Sequence, residues 1–207
     1  MNYNSGAVLV LSGPSGAGKS SLLKEIINDI GDCYFSISTT TRKIRDGETN
    51  GVEYHFVSEE EFKKDIKEEN FLEYALVHGN YYGTSLKAVK EALSKGKLVL
   101  FDIDVQGNTL VNNRLGDITT SVFISPPTLS ELKKRLVARS TDSQEVIDRR
   151  IKMAKREIQR ISEYDYLLIN DNLKKAAEIL RTIAKAARMK IPDSAINEFV
   201  QNWEDVE

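Results

Sequence analysis

Residues 13–20 read Gly13-Pro14-Ser15-Gly16-Ala17-Gly18-Lys19-Ser20, a full match to G-x-x-x-x-G-K-[ST], the phosphate-binding P-loop. No other stretch constrains the fold as much, because the motif works only between a strand and a helix. Ahead of it, Ala7-Val8-Leu9-Val10-Leu11 has the unbroken apolar character of a buried strand. Behind it, Ser20-Ser21-Leu22-Leu23-Lys24-Glu25-Ile26-Ile27 carries apolar residues at helical spacing. The glycines let the backbone turn its N–H groups toward phosphate oxygens, and the helix N-terminus adds partial positive charge. Lys19 is placed to reach the β- and γ-phosphates, and the Ser20 hydroxyl to ligate Mg²⁺. The expected ligand is a nucleoside triphosphate. Its fate is not written in the loop.

Further apolar, β-rich runs occur at 34–37, 98–103, 121–124 and 166–169, and helical patterns alternate with them. Leu86, Val89 and Leu93 mark a helix over 84–93, and Leu129, Leu132 and Leu136 mark a second. Ile147, Ile151, Ala154, Ile158 and Ile161 form a long stripe, and Ala176, Ile179, Leu180 and Ile183 mark the last helix. Strand–helix alternation implies an α/β fold with a parallel sheet covered on both faces. Thr128-x-x-Glu131, Ser58-x-x-Glu61 and Asp142-x-x-Glu145 resemble capping boxes. Residues 39–83 break the alternation with short strand-like pieces at 53–57, 71–77 and 81–82 around one short helix, which reads as a small mixed-sheet insertion. Residues 133–160 are densely basic. From Pro192 the tail turns acidic and reads as an extra helix or a loosely held end.

With 207 residues there is one domain's worth of core, and a net charge of −2 gives no electrostatic pull toward nucleic acid or membrane. Cys33 is the single cysteine, so an internal disulfide is impossible. The N-terminus lacks the pattern of a signal peptide and no apolar run approaches spanning length. The expected location is the cytoplasm.

The insertion opens on Ser38-Thr39-Thr40-Thr41-Arg42-Lys43-Ile44-Arg45-Asp46-Gly47-Glu48, with Gly51-Val52-Glu53-Tyr54 close behind. Two arginines three apart, hydroxyls and a tyrosine can clamp an anion; they can equally be a solvated polar loop. Glu73, in the mostly apolar Phe71-Leu72-Glu73-Tyr74, needs a donor partner unless it faces water. Guanine, with adjacent donors at N1 and N2, would supply one. Leu98-Val99-Leu100-Phe101-Asp102-Ile103-Asp104 is an apolar strand ending in carboxylates, which in P-loop proteins act on Mg²⁺ directly or through water. If the strand runs that far, Asp102 and Asp104 share a face. Asp104-Val105-Gln106-Gly107 also reads D-x-x-G, but an N-K-x-D guanine-reading motif is absent and a GTPase is discounted. The basic segment is either the solvated face of two helices or a mobile lid that brings arginines onto phosphates.

Taken together, SGPSGAGKSSLL, SISTTTRKIRDGETNGVEYHFVS, FLEYALVHGNYYGTS, LFDIDVQG and YDYLLIND resemble, in order and over residues 6–190, the guanylate kinases of bacteria. The resemblance implies a P-loop NTPase-type core with a five-stranded parallel sheet flanked by helices, a small mixed-β GMP-binding insertion and a helical lid. It divides the single domain into core 6–38, 84–127 and 160–190, insertion 39–83, lid 128–159 and extension 191–207. It implies Mg²⁺-dependent transfer of the ATP γ-phosphoryl group to GMP.

On matching positions the resemblance puts Gly13 to Ser21 and Asn170 on ATP. It puts Arg42, Arg45, Tyr54 and Tyr82 on the GMP phosphate, and Ser38, Glu73 and Thr84 on guanine. Asp102 and Asp104 would lie between metal and GMP, with Ser20 and Asp102 serving the metal. Lys19, Arg42, Asp102, Arg135, Arg139 and Arg149 would be catalytic, the last three as lid arginines. Ile44 and Ser140 depart from the family pattern, which has Pro and often Gly there. The alternatives are a kinase for another nucleoside monophosphate and a guanylate-kinase-like protein-interaction module without catalysis. Monomer and homodimer both remain open.

Overall fold

β1 (Ala7–Ser12) is buried along its whole length, which only a central strand covered on both faces permits. In the computed structural model, which describes residues 6–77, 79–138 and 143–204, it pairs in parallel with β7 (Leu98–Asp102) on one side and β8 (Thr119–Ser125) on the other. β2 (Cys33–Phe35) and β9 (Tyr166–Ile169) close the edges, giving the order β2-β7-β1-β8-β9, all parallel.

Two apolar layers cover this sheet. On one face α1 (Lys19–Ile26) and α7 (Leu173–Ala187) pack over Leu9, Leu11, Leu100 and Ile124. On the other, α3 (Leu86–Ser94) and α4 (Val105–Leu115) pack over Val8, Val10, Val99 and Phe101. Alternate residues of β1 thus feed opposite cores, as the two-residue strand period requires.

The second sheet follows the order β4-β3-β6-β5, built from β3 (Ser38–Thr40), β4 (His55–Phe56), β5 (Phe71–Val77) and β6 (Asn80–Ser85). β3 runs parallel to β4 and antiparallel to β6, so the sheet is mixed. Its own core is aromatic: Phe62, fully buried on α2 (Glu59–Lys67), stacks at 4.2 Å on Phe71 and 5.2 Å on Tyr81. Ser58 begins α2 with a complete capping box to Glu61.

α5 (Leu129–Ala138) and α6 (Gln144–Glu157) share a separate small core of Leu132, Leu136, Ile147 and Ala154. Thr128 caps α5 by accepting from the Glu131 N–H at 3.1 Å. The expected Asp142 cap lies outside the described residues; Ser143 caps α6. Thr84 is not the start of a helix but the penultimate residue of β6, since α3 begins at Leu86. The acidic tail forms α8 (Asp193–Glu204). Among the described residues no helix is long and apolar enough to cross a membrane.

Candidate active site

The site gathers at the carboxyl ends of the core strands, where a parallel α/β sheet opens its crevice. β1 ends in the P-loop, whose sharp turns need left-handed backbone: φ is 139° at Gly13 and 94° at Gly18. A Cβ on Gly13 would stand 2.0 Å from the Ile124 carbonyl oxygen, and one on Gly18 2.3 Å from Asn170 Nδ2. The loop therefore lies directly on β8 and on the end of β9. Lys19 opens α1 and donates from Nζ to the Gly13 carbonyl at 2.7 Å, curling over the loop. Ser20 and Ser21 are exposed in the first turn of α1. Pro14 is buried, and its carbonyl accepts from the Ala17 N–H at 3.0 Å.

Sheet register brings Asp102 beside Leu11, the penultimate residue of β1. Its carboxylate lies 3.7 Å from Lys19 Nζ. Burial raises the Asp102 carboxyl above the usual carboxylate range, and the Lys19 ammonium opposes that rise only in part. β7 stops at Asp102, so Asp104 does not share its strand face. Instead Asp104 caps α4, its Oδ1 accepting from the Gln106 and Gly107 N–H groups at 2.9 Å each.

Across from these carboxylates, the mixed sheet presents Glu73 and Thr84 as register partners, and the Thr84 hydroxyl donates to Glu73 Oε1 at 2.8 Å. Ser38 pairs with Thr84 on the other side. A β-bulge at Leu72 sends that residue into the main core while leaving Glu73 in the crevice. A cleft of ≈ 370 Å³ is lined by Glu73 and Thr84 from the mixed sheet and by Ile103, Asp104, Gln106 and Gly107 beside it.

The residues expected to clamp an anion are packed against one another. The Arg42 guanidinium stands 5.5 Å from the ring centroids of both Tyr54 and Phe56, and Tyr82 faces it as well. Tyr54 and Tyr82 meet edge to face at 5.8 Å. Arg42 also pairs with Glu48 at 2.7 Å, which with the Arg45 N–H holds the Glu48 carboxyl below the usual range. The Arg45 side chain is exposed; its backbone N–H bonds to Glu48, and its charge acts on that carboxylate as well.

The basic segment splits by helix phase. Arg150, not Arg149, turns toward the loop: its guanidinium donates to Ser15 Oγ at 3.1 Å, whereas Arg149 is exposed. The buried positions Ile147 and Ala154 already mark the inward face of α6. Arg150 lies about 60° from Ile147 around the helix and Arg149 about 160°, so the stripe in the sequence contained this signal. Arg135 donates to Glu131 at 2.9 Å and to the Asn170 carbonyl at 2.9 Å. Arg139 lies outside the described residues. Asn170 is buried rather than open to a nucleobase; its Nδ2 donates to the Ala17 carbonyl at 2.8 Å and props up the P-loop.

Two acids at the site carry no mark in the sequence. Nothing in the spacing of Glu48 sets it apart from a solvated charge in the 42–48 loop. Glu157, at the end of α6, falls within the electrostatic reach of Lys19 and Asp104; burial raises its carboxyl, and a run of basic residues around it hid it.

The guanylate kinase family matches residues 5–187 of the chain. The guanylate kinase of Sulfurimonas denitrificans is 74% identical over 206 residues, covering all of both chains. That of Wolinella succinogenes is 49% identical over 207 residues, covering 100% of this chain and 96% of the relative. Among solved structures, the guanylate kinase from Anaplasma phagocytophilum superposes with a TM-score of 0.67 at 30% identity, covering 99% of this chain and 98% of that one.

Proposed function

The chain belongs to the guanylate kinase family, an ATP:GMP phosphotransferase of the nucleoside monophosphate kinase class, and from that premise we propose how its residues divide the work. The observation that carries the reading is the cleft shared by Glu73 and Thr84 of the mixed sheet with Asp104 and Gln106 at the start of α4, near the Lys19–Asp102 pair. It offers a nucleobase pocket next to a triphosphate loop, which is the arrangement that transfer between two nucleotides needs.

In this reading residues 39–83 bind GMP and residues 128–159 form the lid over a core of 6–38, 84–127 and 160–190. The backbone of Gly13 to Gly18 cradles the ATP phosphates with Lys19, while Asn170 supports the loop from beneath. Arg135, Arg139 and Arg150 bring positive charge from the lid, with Arg150 taking the place expected of Arg149. Arg42, Arg45, Tyr54 and Tyr82 hold the acceptor phosphate, and Glu73, Thr84 and Ser38 read guanine, whose two edge donors match a carboxylate. Adenine would set an acceptor at N1 against that carboxylate and leave it unpaired.

A magnesium ion would be held by the Ser20 hydroxyl and, through water, by Asp102. The fit is chemical: hydroxyl and carboxylate oxygens suit a hard cation that keeps much of its water and shares the nucleotide's phosphates. When bound, the ion neutralises charge on the β- and γ-phosphate oxygens. The chain's own residues then align an acceptor phosphate that is already an oxyanion, so no general base is required. Insertion and lid exclude water once both nucleotides are in place, limiting hydrolysis of ATP. The substrates and the unpaired Cys33 suit a cytoplasmic setting.

A coupled ADP-release assay with GMP, dGMP, AMP, dTMP, UMP and CMP as acceptors tests the reading. Turnover confined to GMP and dGMP is the expected result; equal turnover with AMP overturns the role given to Glu73.

A further inference from the structure

The phosphate clamp contains an acid where attraction alone would exclude one. Glu48 Oε1 accepts from an Arg42 guanidinium nitrogen at 2.7 Å, and its Oε2 accepts from the Arg45 backbone N–H at 2.8 Å. The Glu48 N–H returns a bond to the Arg45 carbonyl at 3.1 Å. Gly47, at φ 85°, lets the chain reverse between them. The two side chains are only 12% and 18% exposed.

Arg42 is fixed from its other sides too. A second guanidinium nitrogen donates to the Lys43 carbonyl at 2.8 Å, and the rings of Tyr54 and Phe56 flank it. Tyr82 also lies within hydrogen-bond reach of the guanidinium, whose fork of five N–H donors still leaves some for a ligand. A carboxylate here weakens the field that draws an anion. What it adds is orientation, since an arginine held in one rotamer loses less freedom when its ligand arrives.

We propose that Glu48 is a positioning residue of the acceptor-phosphate clamp, holding Arg42 and the 42–48 loop in binding geometry before GMP arrives. This inference rests on the reading of Arg42 as a phosphate ligand. It assigns Glu48 to affinity for the phosphate and not to the rate of transfer.

The test is Glu48→Gln in the full chain. The amide keeps the shape but has one acceptor oxygen for two donors, and turns its own NH₂ toward Arg42 or the Arg45 N–H. Steady-state kinetics are paired with calorimetric binding of GMP and of guanosine, which lacks the phosphate. KM and Kd for GMP should rise about tenfold, the scale of one charge-assisted hydrogen bond. Guanosine affinity, KM for ATP and kcat should stay within about twofold. Glu48→Asp, which keeps two charged acceptors on a shorter arm, should give a smaller rise and serves if the glutamine variant does not fold.

An unchanged GMP Kd overturns the proposal, as does an equal loss for guanosine, which would mean general loosening of the insertion. Arg42→Ala in the same assays separates the two ideas. If it weakens GMP binding while Glu48→Gln does not, the clamp stands and the role of Glu48 falls. If neither variant weakens GMP binding, the clamp itself falls.

Discussion

Arg150 and Ser15, 135 positions apart in the chain, meet across the crevice, the guanidinium of one donating to the hydroxyl of the other at 3.1 Å. α6 thereby places a cation on the P-loop. Arg150→Ala should lower kcat about a hundredfold, the usual loss when one charge-stabilising donor is removed. Arg149→Ala, on the exposed face, should change it by less than about twofold. Parallel kinetics on the two variants decide between them; equal losses would mean that α6 rotates or shifts when the site closes.

Glu73 accepts from Thr84 and faces the shared cleft. Glu73→Gln should lower kcat/KM for GMP about a hundredfold by turning an amide donor toward guanine's donors, with KM for ATP unchanged. Equal losses toward both substrates in initial-rate measurements would remove Glu73 from base recognition.

Asp102 carries a folding penalty at the site. Its folded carboxyl holds its proton to higher pH than the unfolded one, whose value is near 3.8. Ionisation therefore favours the unfolded chain. The wild type loses stability as pH rises from that value through the raised one, and the penalty is complete above both. Asp102→Asn should raise Tm at pH 7, and the gain should vanish as pH falls through this window. Activity should drop about a hundredfold at every pH. Thermal denaturation of the two proteins from pH 4 to 8 reads the effect, and a Tm difference that grows on acidification would contradict it.

Asn170 supports the P-loop through its bond to the Ala17 carbonyl. Asn170→Ala leaves that buried carbonyl unpaired and should lower Tm by about 5 °C. KM for ATP should rise while KM for GMP holds. Calorimetry together with kinetics checks both, and a loss confined to Tm would limit Asn170 to structure.

Local pattern carried a large share of this architecture. The apolar runs at 7–11 and 98–103 became β1 and β7, because a strand buried on both faces has to be apolar throughout. The run at 166–169 became the edge strand β9, of which only Leu168 is buried. The Ser58 and Thr128 caps stood where their side chains could satisfy the first free N–H groups of a helix. Sequence pattern is weakest at element ends: the helical spacing reaches back to Thr84, which is in β6, and the apolar run reaches toward Asp104, which caps α4, because one residue either way changes direction and partner there. Charge alone does not separate Arg149 from Arg150; the phase of the apolar stripe beside them does, and it turns Arg150 toward the P-loop.

The order of residues alone determined that this chain binds a nucleoside triphosphate on a strand–loop–helix unit within an alternating α/β fold, since those signals depend on neighbours a few positions apart. Tertiary structure decided the rest. Asp102 meets Lys19 because β7 lies beside β1, and Glu73 enters the cleft because a bulge at Leu72 shifts the register of β5 against β6. Glu48 closes on Arg42, and Asn170 comes to lie under a loop 153 positions away. Each of these contacts depends on packing and register, which sum many weak interactions over the whole chain and leave no mark at the positions they join.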